Sequence, residues 1–436
     1  MNYETTSIQL DDFLRDNKSV YIRLQPDVAD FTKKTFSGSL IVVGKKTQVS
    51  IPFSHNNLGT FVGMLNNTIF SSDYVERIYC WDIKSFNSFC LYHLGRTPNI
   101  QIPVFDLQVI ENFVGLNSPA PSNIQEFGLR IQTAMRMSDW GNAYKQVHMP
   151  LMMEVIPAIE TFSVLHAGLR QEVHPYYQIE GQQNGRLNSV KAFHRGYLPH
   201  NMGPELRKNL MPLGERKRFL LADFRHCEVT MLQWLSKCDV LKAIIDSGDD
   251  VHEKIYEKIT NQSCNDENKR NKSKIIFLPV IYGCGPSTLA KNLKLPVEIG
   301  KEIIRRIHSL FPTPIKWARE QENLAKQGTF KDYFGRVRKL TPKEAWKARN
   351  TAVQGPSATF CAEKLIKLHR DMEYGKLAFS VHDGYGVVCD IPKAKSNYVE
   401  VKKILESESE LCPGLKMKVQ IKFGSTLGDA RVLLGG

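Results

Sequence analysis

The sequence predicts an α/β multidomain protein of the α+β kind, in which strands mixed with helices come first and mainly helical stretches follow. Alternating apolar segments such as SLIVVG and TQVSIPF indicate strands in the first hundred residues. A mainly helical pattern runs from Ile124 to about Gln171, and a second, strongly basic one from about Val240 to Ala348. The strand signals RKRFLLADF and FSV lie on either side of this second region, and an acidic residue ends or closely follows each. A long helical insertion therefore separates acid-bearing strands.

The charge balance favours a polyanionic partner. The 436 residues include 58 Lys and Arg against 45 Asp and Glu, a net charge of +13, which favours nucleic acid before an anionic membrane. No apolar run approaches the ~18 residues of a membrane span, and the start MNYETTSIQLDDF has no secretory pattern. Nine cysteines without a CxxC pair argue against disulfides and zinc. We expect a cytoplasmic protein with no membrane partner.

Two acidic residues at strand ends form the first candidate site. Asp383 lies in FSVHDGYGVV, which has the pattern of a hairpin, and Asp223 ends the strand RKRFLLADF. Two converging carboxylates suit Mg²⁺, and two ions ~3.5–4 Å apart bind the attacking and leaving oxygens of phosphoryl transfer. Asp-Gly is also ordinary hairpin-turn chemistry, so a purely structural role for Asp383 stays open at this point.

A basic stripe lies between the two acids in the sequence. Arg270 and Lys274 are followed at the same spacing of four by Leu278 and Tyr282, which places all of them along one helical face. Cations followed by an apolar and an aromatic residue suit the phosphates and base of a nucleoside triphosphate. An amphipathic surface helix is the alternative.

Three motifs in order resemble motifs A, B and C of family A (polymerase-I-like) DNA polymerases: DFRHCEVTMLQWLS, RNKSKIIFLPVIYG and VHDG. NGRLNS with the later YLPHNM, DDVHEKI, GTFKDYFGRVR and RNTAVQGPSATF resemble the segments around them, so that the similarity covers about residues 172–436. The resemblance implies a degenerate, RNase H-like exonuclease-type domain at 1–145 and a right-hand polymerase domain at 146–436. Within the latter it implies an antiparallel-sheet palm (172–239 and 349–436), helical fingers (240–348) and a vestigial thumb (146–171).

The same resemblance implies a DNA-directed DNA polymerase that adds dNTPs to the 3′-hydroxyl of a primer on template DNA. Two Mg²⁺ ions, with Mn²⁺ as a substitute, would be held by Asp223, Asp383 and the backbone carbonyl of Phe224. The implied nucleotide-binding residues are Arg270, Lys274, His252, Glu228, Leu278 and Tyr282. The implied DNA-binding residues are Arg186, Asn350, Gln354 and His382. Each of His252, Arg186, Gln354 and His382 could instead be an ordinary turn, helix or surface residue.

One residue bears on the choice between DNA and RNA synthesis. Glu228, five positions after Asp223, resembles the steric gate of DNA-making members, whereas RNA-making relatives have a small residue there. Gly384 points weakly the other way, because the DNA enzymes usually have Glu after His-Asp. The alternatives to a DNA polymerase are a catalytically inactive DNA-binding module and a single-subunit RNA polymerase or primase-like enzyme.

The chain departs from the family pattern in three respects. Pro279 lies inside the basic helix, where it predicts a kink or break, and Leu278 replaces a common aromatic. The exonuclease-like region lacks the expected acids, so proofreading is not expected and Asp82 and Asp106 are interpreted as structural. About two dozen residues remain for the thumb, which predicts low processivity or an accessory protein. The small size suggests a phage or mobile-element enzyme.

Overall fold

The structure is a computed structural model that describes residues 3–25, 36–44, 47–113, 116, 120, 126, 129–130, 133, 144–178, 186–189, 196–264 and 266–432. The α-helices are α1 (Tyr3–Arg15), α2 (Leu58–Asn67), α3 (Ile83–Leu94), α4 (Leu107–Phe113), α5 (Ile156–Thr161), α6 (Pro204–Asn209), α7 (Cys227–Ser236), α8 (Asp239–Asp246), α9 (Val251–Thr260), α10 (Glu267–Ile281), α11 (Pro286–Leu293), α12 (Val297–Leu310), α13 (Pro312–Ala325), α14 (Lys347–Asp371) and α15 (Ala394–Glu406). The strands are β1 (Ser19–Gln25), β2 (Ser37–Val43), β3 (Gln48–Ser54), β4 (Arg77–Cys80), β5 (Val104–Asp106), β6 (Val164–His166), β7 (Gln171–Pro175), β8 (Tyr177–Gln178), β9 (Asn188–Ser189), β10 (Gly196–Tyr197), β11 (Leu210–Met211), β12 (Lys217–Phe224), β13 (Thr329–Lys331), β14 (Val337–Lys339), β15 (Gly375–Val381), β16 (Gly384–Asp390), β17 (Val419–Gly424) and β18 (Arg431–Val432).

The chain divides into two compact units. The first unit consists of Met1–Asp223, Cys361–Leu405 and Gln420–Gly436, and the second of Phe224–Phe360 and Glu406–Val419. The domain boundaries predicted from the sequence rest on the resemblance to a family and not on compactness, and they stay predictions.

A five-stranded sheet forms the amino-terminal part of the first unit, in the order β3-β2-β1-β4-β5. The pairs β1–β2 and β2–β3 are antiparallel, while β4 and β5 add in parallel. The strands predicted from SLIVVG and TQVSIPF are therefore present. Asp82 caps α3 by accepting a hydrogen bond from the Ser85 amide (3.2 Å), and Asp106 accepts one from the Ile83 amide (2.8 Å). Both carboxylates thus fix the start of α3.

A second five-stranded sheet carries the acidic strand ends, in the order β15-β16-β12-β17-β18. The pairs β15–β16 and β12–β16 are antiparallel, as predicted, while the assignment of this sheet to a palm stays a prediction. Phe219 on β12 packs with Phe379 on β15 in a buried apolar cluster, which explains the apolar character of both segments. The register of these strands positions the candidate site.

The helical prediction for the stretch that ends at Gln171 is wrong in its last ten residues. Helical structure at Tyr144–His148 and Leu151–Val155, both π-helical, continues into α5 and ends at Thr161. The strands β6 and β7 then form an antiparallel pair, and β11 adds to β6. Val164 and Val173 face each other in that pair and are buried, so tertiary packing selects strands here. The reduced thumb at 146–171 stays a prediction.

Helices dominate the second unit from α7 to α13, as predicted, with a short antiparallel hairpin of β13 and β14. Pro279 does not break α10, which continues to Ile281. Because the proline lies in the last turn, it removes one backbone hydrogen bond and leaves the preceding turns intact. Within the described part of the chain, no helix combines the length and apolar character needed to cross a membrane.

Candidate active site

The hairpin of β15 and β16 turns at His382 and Asp383. Val381 pairs with Gly384 across the two strands, so that the turn consists of His382 and Asp383. His382 adopts the left-handed conformation at φ 54°, and Gly384 is already the first residue of β16. The sequence suggested a turn made by Asp383 and Gly384. In the structure the turn lies one residue earlier, at His382 and Asp383. The turn exposes His382 and leaves Asp383 half-buried.

Asp223 lies beside this turn in the sheet. It pairs directly with Gly384 in the β12–β16 ladder, so Asp383 is next in sequence to its cross-strand neighbour. A Cβ atom added to Gly384 would be only 3.2 Å from Asp223 Oδ1 and 3.3 Å from the Val381 carbonyl oxygen. Glycine therefore leaves room at the Asp223 carboxylate that any other residue would fill.

The two carboxylates suit a hard cation. Mg²⁺ is usually held by one or two protein carboxylates, with water and substrate phosphates completing its shell. Among the described residues no cluster of three or more Asp, Glu, His or Cys side chains is arranged to hold a metal. A pair of carboxylates, with the space beside Gly384 left free of a side chain, fits an Mg²⁺ ion that also binds a phosphate-bearing substrate.

A second histidine lies against the turn and was not singled out from the sequence. The rings of His200 and His382 are 4.7 Å apart between centroids. The Ser189 amide donates a hydrogen bond to His200 Nδ1 (3.1 Å), and the His200 amide donates one to Ser189 Oγ (3.2 Å). Burial, together with the positive charges of His382 and Arg186, lowers the pKa of His200 to about 4. A neutral histidine therefore supports the turn, and its only sequence signal was its place in the segment YLPHNM.

In the second unit, Glu228 is held by two of the other predicted site residues. It lies in the first turn of α7, where its Oε2 accepts a hydrogen bond from the Tyr282 hydroxyl (2.9 Å). Its Oε1 accepts one from Gln354 Nε2 (3.2 Å). Residues predicted as a steric gate, a base-stacking aromatic and a DNA contact thus form one network, which fixes the direction of the carboxylate.

Arg270 on α10 is engaged within the second unit. Its Nε and one terminal nitrogen donate to Asp250 Oδ2 at 2.9 and 2.8 Å. Asp250 also caps α9 by accepting hydrogen bonds from the amides of His252 and Glu253. Burial alone would raise the pKa of Asp250, but the hydrogen bond from Arg270 and those from backbone amides outweigh it, and the pKa is lowered. Lys274, one turn along from Arg270, is exposed.

His252 is buried and electrically neutral near pH 7. Burial, followed by the neighbouring charge of His226, lowers its pKa to about 3. The two imidazole rings are 5.0 Å apart, and burial lowers the pKa of His226 to about 4. Sequence reasoning missed His226 and Asp250, because neither type is distinctive at a single position. His252 can offer a hydrogen bond to a phosphate but not a charge.

Three further predicted residues lie on α10, α14 and β12. Leu278 is half-buried on α10, and Asn350 is half-buried near the start of α14. Phe224, whose carbonyl was predicted as a metal ligand, directly follows Asp223 and packs its ring on Phe360 at 5.3 Å.

Comparison with known proteins gives the family. The model for DNA polymerase family A matches residues 151–429, which is more than half of the chain and includes Asp223, Asp383 and the helix α10. The chain belongs to DNA polymerase family A.

Its family A relatives are much longer than the chain itself. DNA polymerase I of Streptococcus pneumoniae is 26% identical over 55% of this chain and 29% of its own length. The Bacillus caldotenax enzyme of the same name is 24% identical over 60% of this chain and 32% of its own length. A DNA polymerase of Mycobacterium phage D29 is 24% identical over 33% of this chain and 24% of its own length. The chain spans about a third or less of the relatives that it matches.

A solved family A structure shares the fold. The POL domain of Pol1 from M. smegmatis, in complex with DNA primer-template and dNTP, superposes with a TM-score of 0.75 at 13% sequence identity. The match covers 97% of this chain and 98% of that chain, so the shared fold extends into the amino-terminal sheet.

Proposed function

We propose that the protein is a template-directed DNA polymerase, a nucleotidyltransferase that adds dNTPs to the 3′-hydroxyl of a DNA primer. One observation carries the proposal: the β12–β16 register brings Asp223 next to the turn that holds Asp383. Membership in family A supplies the substrate class, and the net charge of +13 favours a nucleic-acid partner.

Asp223 and Asp383 would hold two Mg²⁺ ions, for which Mn²⁺ could substitute, with the carbonyl of Phe224 as a further ligand. When bound, such ions supply charge stabilisation at the attacking and leaving oxygens of phosphoryl transfer. The protein's own part is to bring the carboxylates together, which the strand pairing does, while the glycine at 384 leaves room beside Asp223. His382, supported by His200, and Arg186 would contact primer–template DNA.

In the second unit, the exposed cation of Lys274 would neutralise triphosphate oxygens, and His252 would donate a hydrogen bond. Arg270 would add positive charge that Asp250 partly offsets. Leu278 and Tyr282 would face the base, while Asn350 and Gln354 would contact DNA. Glu228, held by Tyr282 and Gln354, would exclude a ribose 2′-hydroxyl and make dNTPs the preferred substrates.

The amino-terminal region would be an exonuclease-type domain without proofreading activity. This is supported by Asp82 and Asp106, whose carboxylates accept backbone hydrogen bonds that fix α3. With helical structure ending at Thr161, a thumb at 146–171 would be vestigial, so an accessory protein would supply the grip on duplex DNA. We further propose a DNA-associated protein of the cytoplasm, with a phage or mobile element as its source.

Primer extension with dNTPs tests the proposal. We expect extension by the wild type and a loss of about 100-fold or more in Asp223→Asn and Asp383→Asn, because each carboxylate would hold the Mg²⁺ ions that stabilise the negative charge developing in the transition state. Asp390→Asn is the matched control, since Asp390 is an exposed carboxylate at the opposite end of β16. Its activity should equal that of the wild type.

Each alternative gives a different result in the same assay. A wild type that binds primer–template DNA but never extends it would be a DNA-binding module. Extension with rNTPs in preference to dNTPs would indicate an RNA polymerase. Activity that survives Asp383→Asn would contradict the assignment of the acids.

A further inference from the structure

A buried tyrosine forms two hydrogen bonds with the strand that leads into the turn at Asp383. The hydroxyl of Tyr177 donates a hydrogen bond to the carbonyl oxygen of Ser380 and accepts one from the amide of Ser380, both at 2.9 Å. Ser380 lies on β15, three residues before Asp383, and Tyr177 is fully buried. One side chain thus satisfies both backbone groups of a residue three positions before the predicted metal ligand.

The position of β15 explains why this contact matters. Within the described part of the chain, β15 is the edge strand of its sheet, so the backbone groups on its outer side have no neighbouring strand there to bond. Ser380 and Tyr385 face each other in the β15–β16 ladder, yet the amide and carbonyl of Ser380 bond Tyr177 instead. The Tyr177 hydroxyl therefore does at Ser380 what an additional strand would do.

Tyr177 is in turn fixed by a buried ion pair that reaches the amino-terminal region. Its backbone amide donates to Glu160 Oε1 at 2.8 Å. The same Oε1 is 2.9 Å from Lys84 Nζ on α3, and Ser88 on α3 donates to Glu160 Oε2 at 2.6 Å. Lys84 and Glu160 are both almost fully buried, so each charge depends on the other. All of these residues belong to the first unit.

A series of contacts therefore connects α3 to the acidic turn. We propose that Tyr177 is a positioning residue for Asp383, and that α3 of the amino-terminal region supports it through Lys84, Ser88 and Glu160. The proposal rests on the proposed polymerase function for its catalytic consequence. It gives the amino-terminal region, which lacks the acids expected of an exonuclease, a task in the polymerase reaction.

The chain offers a matched pair of variants. Tyr177→Phe removes the hydroxyl and keeps the ring. Tyr197→Phe is the control, because the Tyr197 hydroxyl is also buried but has no hydrogen-bond partner within the described part of the chain. Ser88→Ala is a milder variant that removes one hydrogen bond to Glu160 and tests the connection to α3.

Hydrogen exchange tests the contact itself. In full-length Tyr177→Phe, mass spectrometry of a peptide that contains residues 377–386 should gain about one early-exchanging amide, that of Ser380. Ser88→Ala should give a smaller gain and Tyr197→Phe none. Unchanged exchange in Tyr177→Phe overturns the proposal. If Tyr177→Phe does not fold, Ser88→Ala decides, and unchanged exchange in that variant has the same meaning.

Kinetics test the positioning role. A net hydrogen bond corresponds to about a 3- to 10-fold effect, so kcat should fall by about that factor in Tyr177→Phe. The Mg²⁺ concentration for half-maximal rate should rise by a similar factor, while KM for the dNTP stays within about twofold. A merely structural role would lower the active fraction and leave the Mg²⁺ dependence unchanged, and that result would overturn the proposal.

Failure of the polymerase function can be told apart from failure of this inference. If the wild type does not extend primers, the proposed function fails. Mn²⁺ binding to wild type and Tyr177→Phe, followed by electron paramagnetic resonance, then decides the positioning role. Weaker binding by Tyr177→Phe supports it, and equal binding overturns it.

Discussion

The contact between Glu228 and Tyr282 gives a sharp prediction about sugar selectivity. Glu228 accepts hydrogen bonds from Tyr282, which directly follows α10, at 2.9 Å and from Gln354 on α14 at 3.2 Å, so two donors from different parts of the second unit fix the proposed gate. The perturbation is Tyr282→Phe, which removes only the shorter of these contacts, compared with Glu228→Ala, which removes the carboxylate.

The magnitudes follow from the number of contacts removed. A hydrogen bond to a charged group contributes about 1.5–3 kcal/mol, and about 1.4 kcal/mol corresponds to a factor of ten. With Gln354 still in place, we expect Tyr282→Phe to lower the preference for dNTP over rNTP by about tenfold. Glu228→Ala leaves open space for a 2′-hydroxyl, and we expect a loss of roughly 100-fold, the scale at which pocket shape discriminates substrates.

The assay is single-nucleotide primer extension with dNTP and rNTP, which gives kcat/KM for each sugar. The double variant, Tyr282→Phe with Glu228→Ala, completes a double-mutant cycle. If Tyr282 acts only through Glu228, the sugar selectivity of the double variant should equal that of Glu228→Ala alone. Glu253→Ala, in the first turn of α9, is the control for loss of a glutamate in the second unit.

Two results would refute the reasoning. Wild-type selectivity in Glu228→Ala would mean that the carboxylate is not a gate. Wild-type selectivity in Tyr282→Phe, together with a changed Glu228→Ala, would mean that the hydrogen bond does not hold the gate in place.

Three further predictions concern single positions. In Gly384→Ala the new Cβ would be 3.2 Å from Asp223 Oδ1, so we expect kcat in primer extension to fall about 3- to 10-fold, and an unchanged kcat would contradict the close approach. In Gly355→Ala the new Cβ would overlap Asp332 Oδ2, so thermal unfolding should reveal a destabilisation of about 1–3 kcal/mol, and a wild-type melting temperature would contradict it. His252 has a pKa of about 3 when folded against ~6.5 when unfolded, so its contribution is complete above pH ~6.5 and is lost as the pH falls toward 3. Because His200 and His226 also have lowered pKa values, both wild type and His252→Asn should lose stability to urea as the pH falls from ~7.5 to ~5, but the loss should be about 2 kcal/mol greater in the wild type. An equal loss in both proteins would contradict a buried neutral histidine.

Local patterns in the sequence determined the elements that carry the site. The apolar run before Asp223 predicts β12, and the spacing of four from Arg270 to Lys274 predicts α10. These predictions succeed because side-chain periodicity follows directly from backbone geometry within one element. The same reasoning failed at residues 164–166, where pairing with β7 and β11 selects a strand.

The tertiary structure alone decided which of these residues meet. The contacts of Glu228 with Tyr282 and Gln354 span 54 and 126 positions, and that of Tyr177 with Ser380 spans 203. No periodicity extends over such separations, because the partner of a side chain is chosen by strand register and helix packing throughout the fold. The sequence by itself therefore determined which acids and cations are candidates for the site and which helices and strands carry them. Folding decided that Asp223 lies beside the turn at Asp383, and that Tyr177, whose amide bonds Glu160, meets Ser380 on the strand that leads into that turn.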